Sequence, residues 1–406
     1  MSTVTDVDPT IRRESALQRL TGERFVPIAL RGLERSVTDD GAWLCFKALP
    51  GAGPDQLALE GRSERYTAMS LIGLAAQAAH GRSADLPHAR LLDSLCRWAP
   101  SALELGDAGL VLWLLVALKD SRAEDLAKAI LARRDEVLRS TYLPASMEFA
   151  YLLIGVAEAE RLGVGGKPMA EFADAVAERL ARNQHARTHL FAFAARARRR
   201  NVMRGRADYR LGSFASQVYP TIGFAFHARA TGDPRSARIA RTCADRLCAL
   251  QGDAGQWWWV YNVVRGGAAA RHPVYSVHQH GMGPMMLCAA EIGGGHDPRY
   301  DVAIEKSLSW FDRRPELPAA EMIDHKRGVV WRAIQRDDPR RTGRLGLGRM
   351  EIARLDRSAW LGALDHRPFE GDEGFVCGEC RPYELGWLLL ADAMYRDCVA
   401  ARALRR

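Results

Sequence analysis

Residues 247–257 read LCALQGDAGQW; they end one predicted helix and form the turn that leads towards the next. The pattern is a helix, a turn with Gly and Trp, and a second helix with small residues at 278–287. A fainter copy runs through residues 30–35, 40–43 and 65–74. Such self-similarity is typical of helical hairpins that bury their apolar faces only against neighbouring hairpins. The chain is therefore predicted to be a stack of hairpins.

Apolar residues recur at three- and four-residue spacing through most of the chain, whereas alternation with period two is scarce. The spacing predicts helices at 26–36, 65–79, 89–98, 109–119, 123–139, 146–162, 169–182, 186–199, 217–231, 236–251, 283–292, 300–310, 352–361 and 383–403. Short connections rich in Gly, Pro and Asp make neighbouring helices antiparallel. We predict an all-α fold, an α/α toroid of about six hairpins. Residues 1–24 are expected to be an N-terminal extension and residues 25–406 a single domain.

The composition limits the class of protein. Of 406 residues, 48% are hydrophobic and 26% are charged, which is enough for a sizeable core. The chain has no apolar run of about 18 residues, so no transmembrane segment is expected. Acids and arginines fill the first twenty residues, where a signal peptide needs an apolar block. Eight cysteines, mostly isolated within helical patterns, are typical of reduced core thiols. We expect a cytoplasmic protein.

The formal net charge of +8 raises the question of an anionic partner. The basic residues do not form one stripe, so nucleic-acid binding is not expected. A run of arginines between residues 196 and 210 is either a solvated helix end or a site that binds a phosphate-bearing substrate or makes a peripheral contact with an anionic membrane surface.

Gln251 ends a predicted helix, and Gly-x-Trp follows it at Trp257. This spacing resembles the QW repeat of the squalene cyclase, terpene cyclase and protein prenyltransferase superfamily. The resemblance implies an α/α toroid in which the Gln amide caps a neighbouring helix and stacks on the Trp. The Asp-x-Asp-Asp motif of class II cyclases and the Asp-Asp-x-x-Asp motif of class I synthases are both absent. Diphosphate ionisation with magnesium is therefore not expected.

The densest aromatic and polar stretch begins at residue 255. Three consecutive tryptophans cannot share one face of a helix or strand, so at least one should meet a cavity, a partner or solvent. Aromatic faces in a cavity bind sugar rings or stabilise carbocations; the alternative is that they only pack hairpins together. The candidate substrate-binding residues here are Trp257, Trp258, Trp259, Tyr261, Tyr275 and Gln279. His278 and His280 open the following helix as candidate acids or bases.

A second polar cluster precedes the last helix. Glu379, Arg381 and Glu384 should meet at a helix N-terminus beside Tyr383, and in a toroid such helix starts face the cavity mouth. We take the two glutamates as candidate catalytic carboxylates and Arg381 as the cation that orients them. Surface charges in a capping arrangement are the alternative.

Further candidates are more isolated. Glu148 lies on an apolar helix and needs a partner, and Gln217 and Tyr219 precede a proline within a helix. Cys377 and Cys380 form a C-x-x-C that could join His280 at zinc, but one pair falls short of a full ligand set. We expect no cofactor.

Three functions fit these residues. The first is a toroid enzyme resembling terpene cyclases, with acid–base or isomerase chemistry on an isoprenoid or another hydrophobic small molecule. The second is a carbohydrate-active α/α barrel, a glycoside hydrolase, lyase or uronic acid epimerase, in which Trp stacking, paired carboxylates and Arg381 suit a saccharide. The third is a non-catalytic toroid that binds a protein partner, which a cavity filled by side chains would favour.

Overall fold

A computed structural model of the chain describes residues 22–139, 145–194, 209–336 and 374–405. Thirteen α-helices lie in these residues. They are α1 (Val26–Glu34), α2 (Glu64–Ala78), α3 (His88–Trp98), α4 (Leu105–Leu118), α5 (Arg122–Ala132), α6 (Arg134–Leu138), α7 (Ser146–Arg161), α8 (Gly166–Ala181), α9 (Ala215–Thr231), α10 (Pro234–Leu250), α11 (Gly283–Gly294), α12 (Pro298–Arg313) and α13 (Pro382–Ala403). None of these helices is long and apolar enough to cross a membrane.

Six of the helices form a closed inner ring. In chain order α2, α4, α7, α9, α11 and α13 each pack against the next, and α13 packs back against α2. The helices α1, α3, α5, α8, α10 and α12 cover this ring from outside. The predicted α/α toroid of about six hairpins is confirmed.

The sequence of each helix fits its layer. The inner helix α4 buries all twelve residues from Leu105 to Val116, whereas the outer helix α10 buries one stripe, including Ile239, Cys243 and Leu247. Glycines let the inner helices approach closely. A Cβ on Gly155 would lie only 2.1 Å from the carbonyl oxygen of Gly109. Any larger residue at this contact would push α4 and α7 apart.

Within the described ranges, ten short strands connect the helices: β1 (Lys47–Pro50), β2 (Leu57–Glu60), β3 (Leu211–Ser213), β4 (Val260–Asn262), β5 (Gly267–Ala270), β6 (Val274–Tyr275), β7 (Ile323–Asp324), β8 (Val329–Val330), β9 (Ala333–Arg336) and β10 (Gly374–Cys377). They pair antiparallel as β1-β2, β3-β4-β5, β6-β9-β10 and β7-β8. All lie between the end of an outer helix and the start of an inner one. The strands therefore gather at the end of the ring where the inner helices begin. With two to four residues each, they are too short to show a period of two in the sequence.

One predicted helix is wrong. The described part of the prediction at 186–199, residues 186–194, forms turns and loop. The side chain of Gln217 replaces the helical hydrogen bonds there: its Oε1 accepts from the backbone N–H of Phe191 (2.7 Å) and its Nε2 donates to the Phe191 carbonyl (2.8 Å). The single helix predicted at 123–139 is two helices in the structure, α5 and α6, which are separated at Arg133. The Arg133 side chain donates to the carbonyl of Ala102 (2.6 Å).

Several predictions lie outside the described residues. These are the helix at 352–361, most of the arginine run before Arg210, and residues 1–21 of the N-terminal extension. The division into an extension (1–24) and one domain (25–406) stays a prediction.

Candidate functional site

A cavity of about 390 Å³ lies at the end of the ring where the inner helices begin. First turns of the inner helices and the strands before them form its wall. The lining residues are Arg65, Tyr66, Met69, Ala145, Met147, Tyr151, Phe193, Ser213, Ala215, Ser216, Tyr219, Trp259, Tyr275, His278, Met282, Arg332 and Tyr383. Five of them, Tyr219, Trp259, Tyr275, His278 and Tyr383, were predicted from sequence.

The wall combines aromatic rings with positive charge. Five tyrosines and Trp259 face this space, and Tyr66 and Tyr383 pack together with ring centroids 4.6 Å apart. Among the described lining residues the charged side chains are two arginines, Arg65 and Arg332, and none is a carboxylate. Such a wall suits a ligand with flat apolar faces and an anionic or oxygen-rich edge.

Arg65 brings two carboxylates together behind the wall. Its Nε lies 2.5 Å from Asp107 Oδ1, and its Nη1 and Nη2 lie 2.9 and 3.1 Å from the two carboxylate oxygens of Glu148. Asp107 is the third residue of α4 and Glu148 the third residue of α7, so two adjacent inner helices present their acids at the same level. Gly106 permits this approach, because a Cβ there would lie 2.4 Å from the Glu148 carbonyl oxygen.

Burial raises the pKa of Glu148 to about 7. Arg65 opposes this shift, whereas the negative charge of Asp107 adds to it. One guanidinium thus serves two buried carboxylates, and Glu148 can hold a proton near neutral pH. Glu148 was predicted from sequence, but its partners Arg65 and Asp107 were not.

Arg332 forms the centre of a second charged group. Its Nη1 lies 2.5 Å from Glu384 Oε1 and its Nε lies 3.0 Å from Glu379 Oε1. Its guanidinium also stands 5.0 Å from the ring centroid of Tyr275. Arg381 binds the same oxygen of Glu379 (3.0 Å) and donates to the hydroxyl of Tyr66 (3.0 Å). The cluster of Glu379, Arg381 and Glu384 predicted at the start of the last helix is thus assembled around an arginine that was not assigned to it.

The role expected for Glu384 needs correction. None of the carboxylates in the two charged groups lines the cavity, but Glu384 is only 1% exposed behind Arg332, whereas the side chains of Asp107 and Glu148 behind Arg65 remain 12% and 13% exposed. Burial raises the pKa of Glu384, and Arg332 opposes the shift. Neither Glu379 nor Arg381 lines the cavity. The three residues hold Arg332 in place, and the cavity meets the cation rather than the carboxylates.

His278 lines the cavity as a neutral imidazole. Its ring packs between Phe214 and Tyr275, with centroids 4.6 and 5.0 Å away. Burial lowers the pKa of His278 to about 3, with the charge of Arg332 adding to the effect. Its Nδ1 lies 3.4 Å from the carbonyl oxygen of Trp257. The tautomer with its proton on Nδ1 leaves the Nε2 lone pair without a partner among the described residues.

His280 points away from the cavity. Residues 278–282 form a π-helical turn, and two positions along a helical turn face nearly opposite directions. The His280 ring lies near Phe25 and Phe311, with centroids 6.2 and 5.7 Å away. Neither ring nitrogen has a hydrogen-bond partner in the described part of the chain. Burial lowers the pKa of His280 to about 3. The catalytic role predicted for it therefore has no geometric basis at this cavity.

The three tryptophans separate as their spacing requires. Trp259 lines the cavity. Trp257 is fully buried and its indole N–H donates to Ser307 Oγ (2.8 Å), whereas the indole of Trp258 donates to the Leu250 carbonyl (2.9 Å). Trp257 and Trp258 therefore pack between hairpins rather than against this cavity.

Three other predicted binding residues lie behind the cavity wall and form hydrogen bonds within the protein. The Tyr261 hydroxyl accepts from the backbone N–H of Trp258 (3.1 Å). Gln279 accepts from the N–H of Trp257 (3.1 Å) and donates to the carbonyl of Tyr275 (3.0 Å). Gln217 holds the loop at Phe191. None of the three lines the cavity.

The zinc candidates do not come together. Cys377 is half-buried on β10, Cys380 is buried, and His280 lies between phenylalanine rings. Over the described ranges no three His, Cys, Asp or Glu side chains form a group that could hold a metal ion.

No protein family and no curated protein matches this chain by sequence. Solved structures do match. An unsaturated glucuronyl hydrolase specific for heparin is 12% identical, with a TM-score of 0.60 over 95% of this chain and 98% of that one. A possible member of the GH105 family from Salmonella enterica is 11% identical, with a TM-score of 0.58 over 98% and 100%. Cellobiose 2-epimerase from Bacillus thermoamylovorans is 9% identical, with a TM-score of 0.58 over 94% and 99%.

At these identities the likeness shows the fold, an α/α toroid. It does not support the resemblance to terpene cyclases beyond that class. The contacts agree. Gln251 does reach the next outer helix, where it donates to the Ala303 carbonyl (3.0 Å). Trp257, however, stacks on Phe214, with centroids 5.7 Å apart, rather than on that glutamine.

Proposed function

We propose that this chain is a carbohydrate-active enzyme that hydrolyses a glycosidic bond in a saccharide carrying a carboxylate. The observation that carries the proposal is the shared Arg65, which holds Asp107 and Glu148 together beside an aromatic-lined cavity. Glycoside hydrolases use two carboxyl groups, one of which keeps a proton near neutral pH. Glu148 meets that requirement through its raised pKa.

The wall favours an acidic sugar as substrate. Sugar rings stack their apolar faces on aromatic side chains, and Trp259 and Tyr275 offer such faces. Arginine guanidinium groups bind carboxylates with two hydrogen bonds, and Arg65 and Arg332 are the charged groups on this wall. A hydrocarbon would displace water from this wall and offer no hydrogen bond to His278 or to the two ion-paired arginines in return. A saccharide therefore fits better than an isoprenoid.

The reaction assigns one role to each carboxyl group. Glu148 donates its proton to the glycosidic oxygen as the bond to the anomeric carbon breaks. A water molecule adds its oxygen to that carbon and gives its proton to Asp107, which acts as the base. Such carboxyl pairs lie about 5–10 Å apart in glycoside hydrolases, and Arg65 holds Asp107 and Glu148 on one guanidinium. The products are two shorter saccharides, and both carboxyl groups recover their protonation by exchange with water.

Epimerisation is the second candidate, because His278 offers a neutral imidazole to the cavity. An epimerase removes a proton from a carbon next to a carbonyl, and the Nε2 lone pair of His278 is a base for that step. The structurally similar cellobiose 2-epimerase gives this alternative a precedent within the fold. A toroid that only binds a protein partner is less suited, because the space is open rather than filled by side chains.

The test is a panel of disaccharides, half with a uronic acid and half neutral, with products identified by mass spectrometry. We expect cleavage of the acidic members, with two product masses. Glu148→Gln should reduce kcat by roughly 100-fold or more, because the proton donor is lost. The wild-type rate should fall about tenfold per pH unit above the Glu148 pKa. Glu171→Gln, on the exposed face of α8, is the matched control and should leave the rate unchanged.

Each other outcome has a distinct meaning. A product of unchanged mass, with solvent deuterium incorporated, would support epimerisation by His278 instead. Full activity in the Glu148→Gln variant would contradict the assigned acid. Absence of both binding and turnover across the panel would contradict the carbohydrate proposal itself.

A further inference from the structure

Four arginines from separate parts of the chain meet at the tip of the β4–β5 hairpin, residues 263–266. Two of them bind the backbone of this tip. Arg187, in the loop after α8, donates to the carbonyl of Val264 (3.4 Å), and Arg246, on the outer helix α10, donates to the carbonyl of Gly266. The arginine patch consists of Arg187, Arg210, Arg246 and Arg265.

The backbone that carries the other two arginines is held in place by hydrogen bonds. The carbonyl of Arg210 accepts from the backbone N–H of Val263 (2.8 Å). The backbone N–H of Arg265 donates to Asn262 Oδ1 (2.9 Å), and the N–H of Gly266 donates to the Asn262 carbonyl (2.8 Å). The tip therefore presents its arginines from a fixed frame.

The positive charge of the arginine patch is not neutralised by neighbouring acids. Among the residues that the structure describes, none of its four guanidinium groups forms an ion pair with a carboxylate. Arg241, on the same outer helix as Arg246, does form one, with Asp297 (2.8 Å). A guanidinium has five N–H donors, and a single carbonyl occupies only one of them. Because Arg187, Arg210 and Arg265 are exposed, donors and charge remain for an anion from solution.

The hairpin connects the arginine patch to the cavity. Ser213, at the end of β3, and Trp259, directly before β4, line the cavity. The opposite ends of the same two strands, where Leu211 pairs with Asn262, lie beside the tip. Three to four residues of extended chain separate the two places, which is a distance of roughly 10–13 Å. A ligand that starts in the cavity and continues along this sheet reaches the arginine patch.

We infer that the arginine patch binds carboxylates of an acidic saccharide chain whose end occupies the cavity. The inference rests on the proposed function and narrows its substrate to a chain with several uronic acid residues. Guanidinium groups bind carboxylates with two parallel hydrogen bonds, and a cluster of uncompensated charge attracts a polyanion over a distance. A nucleic acid is the other polyanion that such charge attracts. The continuity with a cavity that suits an acidic sugar favours the saccharide.

The length of the saccharide should matter only while the arginine patch is intact. A disaccharide in the cavity does not reach the tip, whereas a longer chain does. We expect the wild type to bind octagalacturonate roughly tenfold more tightly than digalacturonate, because each exposed contact between an arginine and a carboxylate contributes a few-fold. This gain should shrink as the salt concentration rises from about 0.05 to about 0.5 M, since salt screens exposed charges.

Two triple variants separate the arginine patch from the overall charge of the protein. The patch variant should lose most of the gain with chain length and keep the wild-type affinity for digalacturonate, which also shows that it is folded. The control removes three charges from exposed positions on other outer helices and should behave as wild type. The patch variant carries Arg187→Gln, Arg210→Gln and Arg265→Gln, and the control carries Arg90→Gln, Lys128→Gln and Lys167→Gln.

The experiment is isothermal titration calorimetry of the full chain and both variants with the two galacturonates and with a single-stranded DNA oligonucleotide. Loss of the gain in the patch variant alone supports the inference. If the patch variant and the wild type bind octagalacturonate equally and both bind digalacturonate, the inference is wrong and the proposed function stands. DNA that binds the wild type more tightly than octagalacturonate, and not the patch variant, would overturn the saccharide as the occupant. A wild type that binds neither galacturonate contradicts the proposed function and the inference together.

Discussion

Between pH 8 and pH 5 the wild-type protein should lose about 2 kcal/mol more free energy of unfolding than the His280→Leu variant. His280 is 2% exposed, and burial lowers its pKa from the ordinary 6.5 to about 3. A group with a depressed pKa stabilises the folded state above its unfolded pKa. That stability is lost as the pH falls from about 6.5 towards 3. At pH 5 the unfolded chain holds a proton on nearly every His280, while the folded chain does not.

The magnitude follows from the two pKa values. The free energy of protonating the unfolded imidazole at pH 5 is RT ln(1 + 10^1.5), about 2 kcal/mol, and at pH 8 it is close to zero. Leucine does not titrate, so His280→Leu should show a pH dependence weaker by this amount. Leucine also removes two unpaired buried nitrogens, so stability at pH 8 should be unchanged or higher.

Urea unfolding followed by circular dichroism at four pH values between 5 and 8 measures this difference. His280→Met guards against a clash specific to leucine. His325→Gln, at an exposed position, is the control and should keep the wild-type pH dependence. If the wild type and both His280 variants lose the same free energy of unfolding from pH 8 to pH 5, the buried neutral imidazole is refuted.

The remaining predictions concern the ring itself. Gly155→Ala should destabilise the protein by about 1–3 kcal/mol or more, because its Cβ would meet the Gly109 carbonyl at 2.1 Å. Gly267→Ala, with open space around it, should show no such loss in the same thermal melts. Arg402→Leu should cost about 3–5 kcal/mol at neutral pH, because it leaves two buried carboxylates without their cation, and low pH should restore part of the loss. If an Arg402 variant is as stable as wild type in urea, the ion pairs of Arg402 on α13 with Glu291 on α11 and Asp301 on α12 do not stabilise the packing of these helices.

The helices were predictable because their core contacts repeat every three or four residues. The inner helix α4 needs an apolar residue at almost every position, and its sequence carries them. The loop at 186–194 was mistaken for a helix because its apolar spacing is helical. What prevents a helix is Gln217, whose side chain takes both backbone groups of Phe191. A single side-chain contact from a distant residue leaves no trace in local spacing.

The candidate site was only partly predictable for a similar reason. Residues close in sequence, such as Glu379 and Glu384, were recognised as a cluster, but the arginine at their centre comes from β8–β9. Arg65, Asp107 and Glu148 lie on three different helices, and the packing of these consecutive inner helices brings their first turns to one level. A lone acid in an otherwise apolar helix, such as Asp107, is the sequence signal that could have indicated the missing partner.

The central claim is that the cavity at the start of the inner helices binds an acidic saccharide. A crystal structure of the chain soaked with a glucuronide tests it most directly. The account predicts a sugar ring against Trp259 and Tyr275, with its carboxylate on Arg332 or Arg65 and its glycosidic oxygen near Glu148. A sugar bound only elsewhere on the protein, or an empty cavity at saturating ligand, would contradict it.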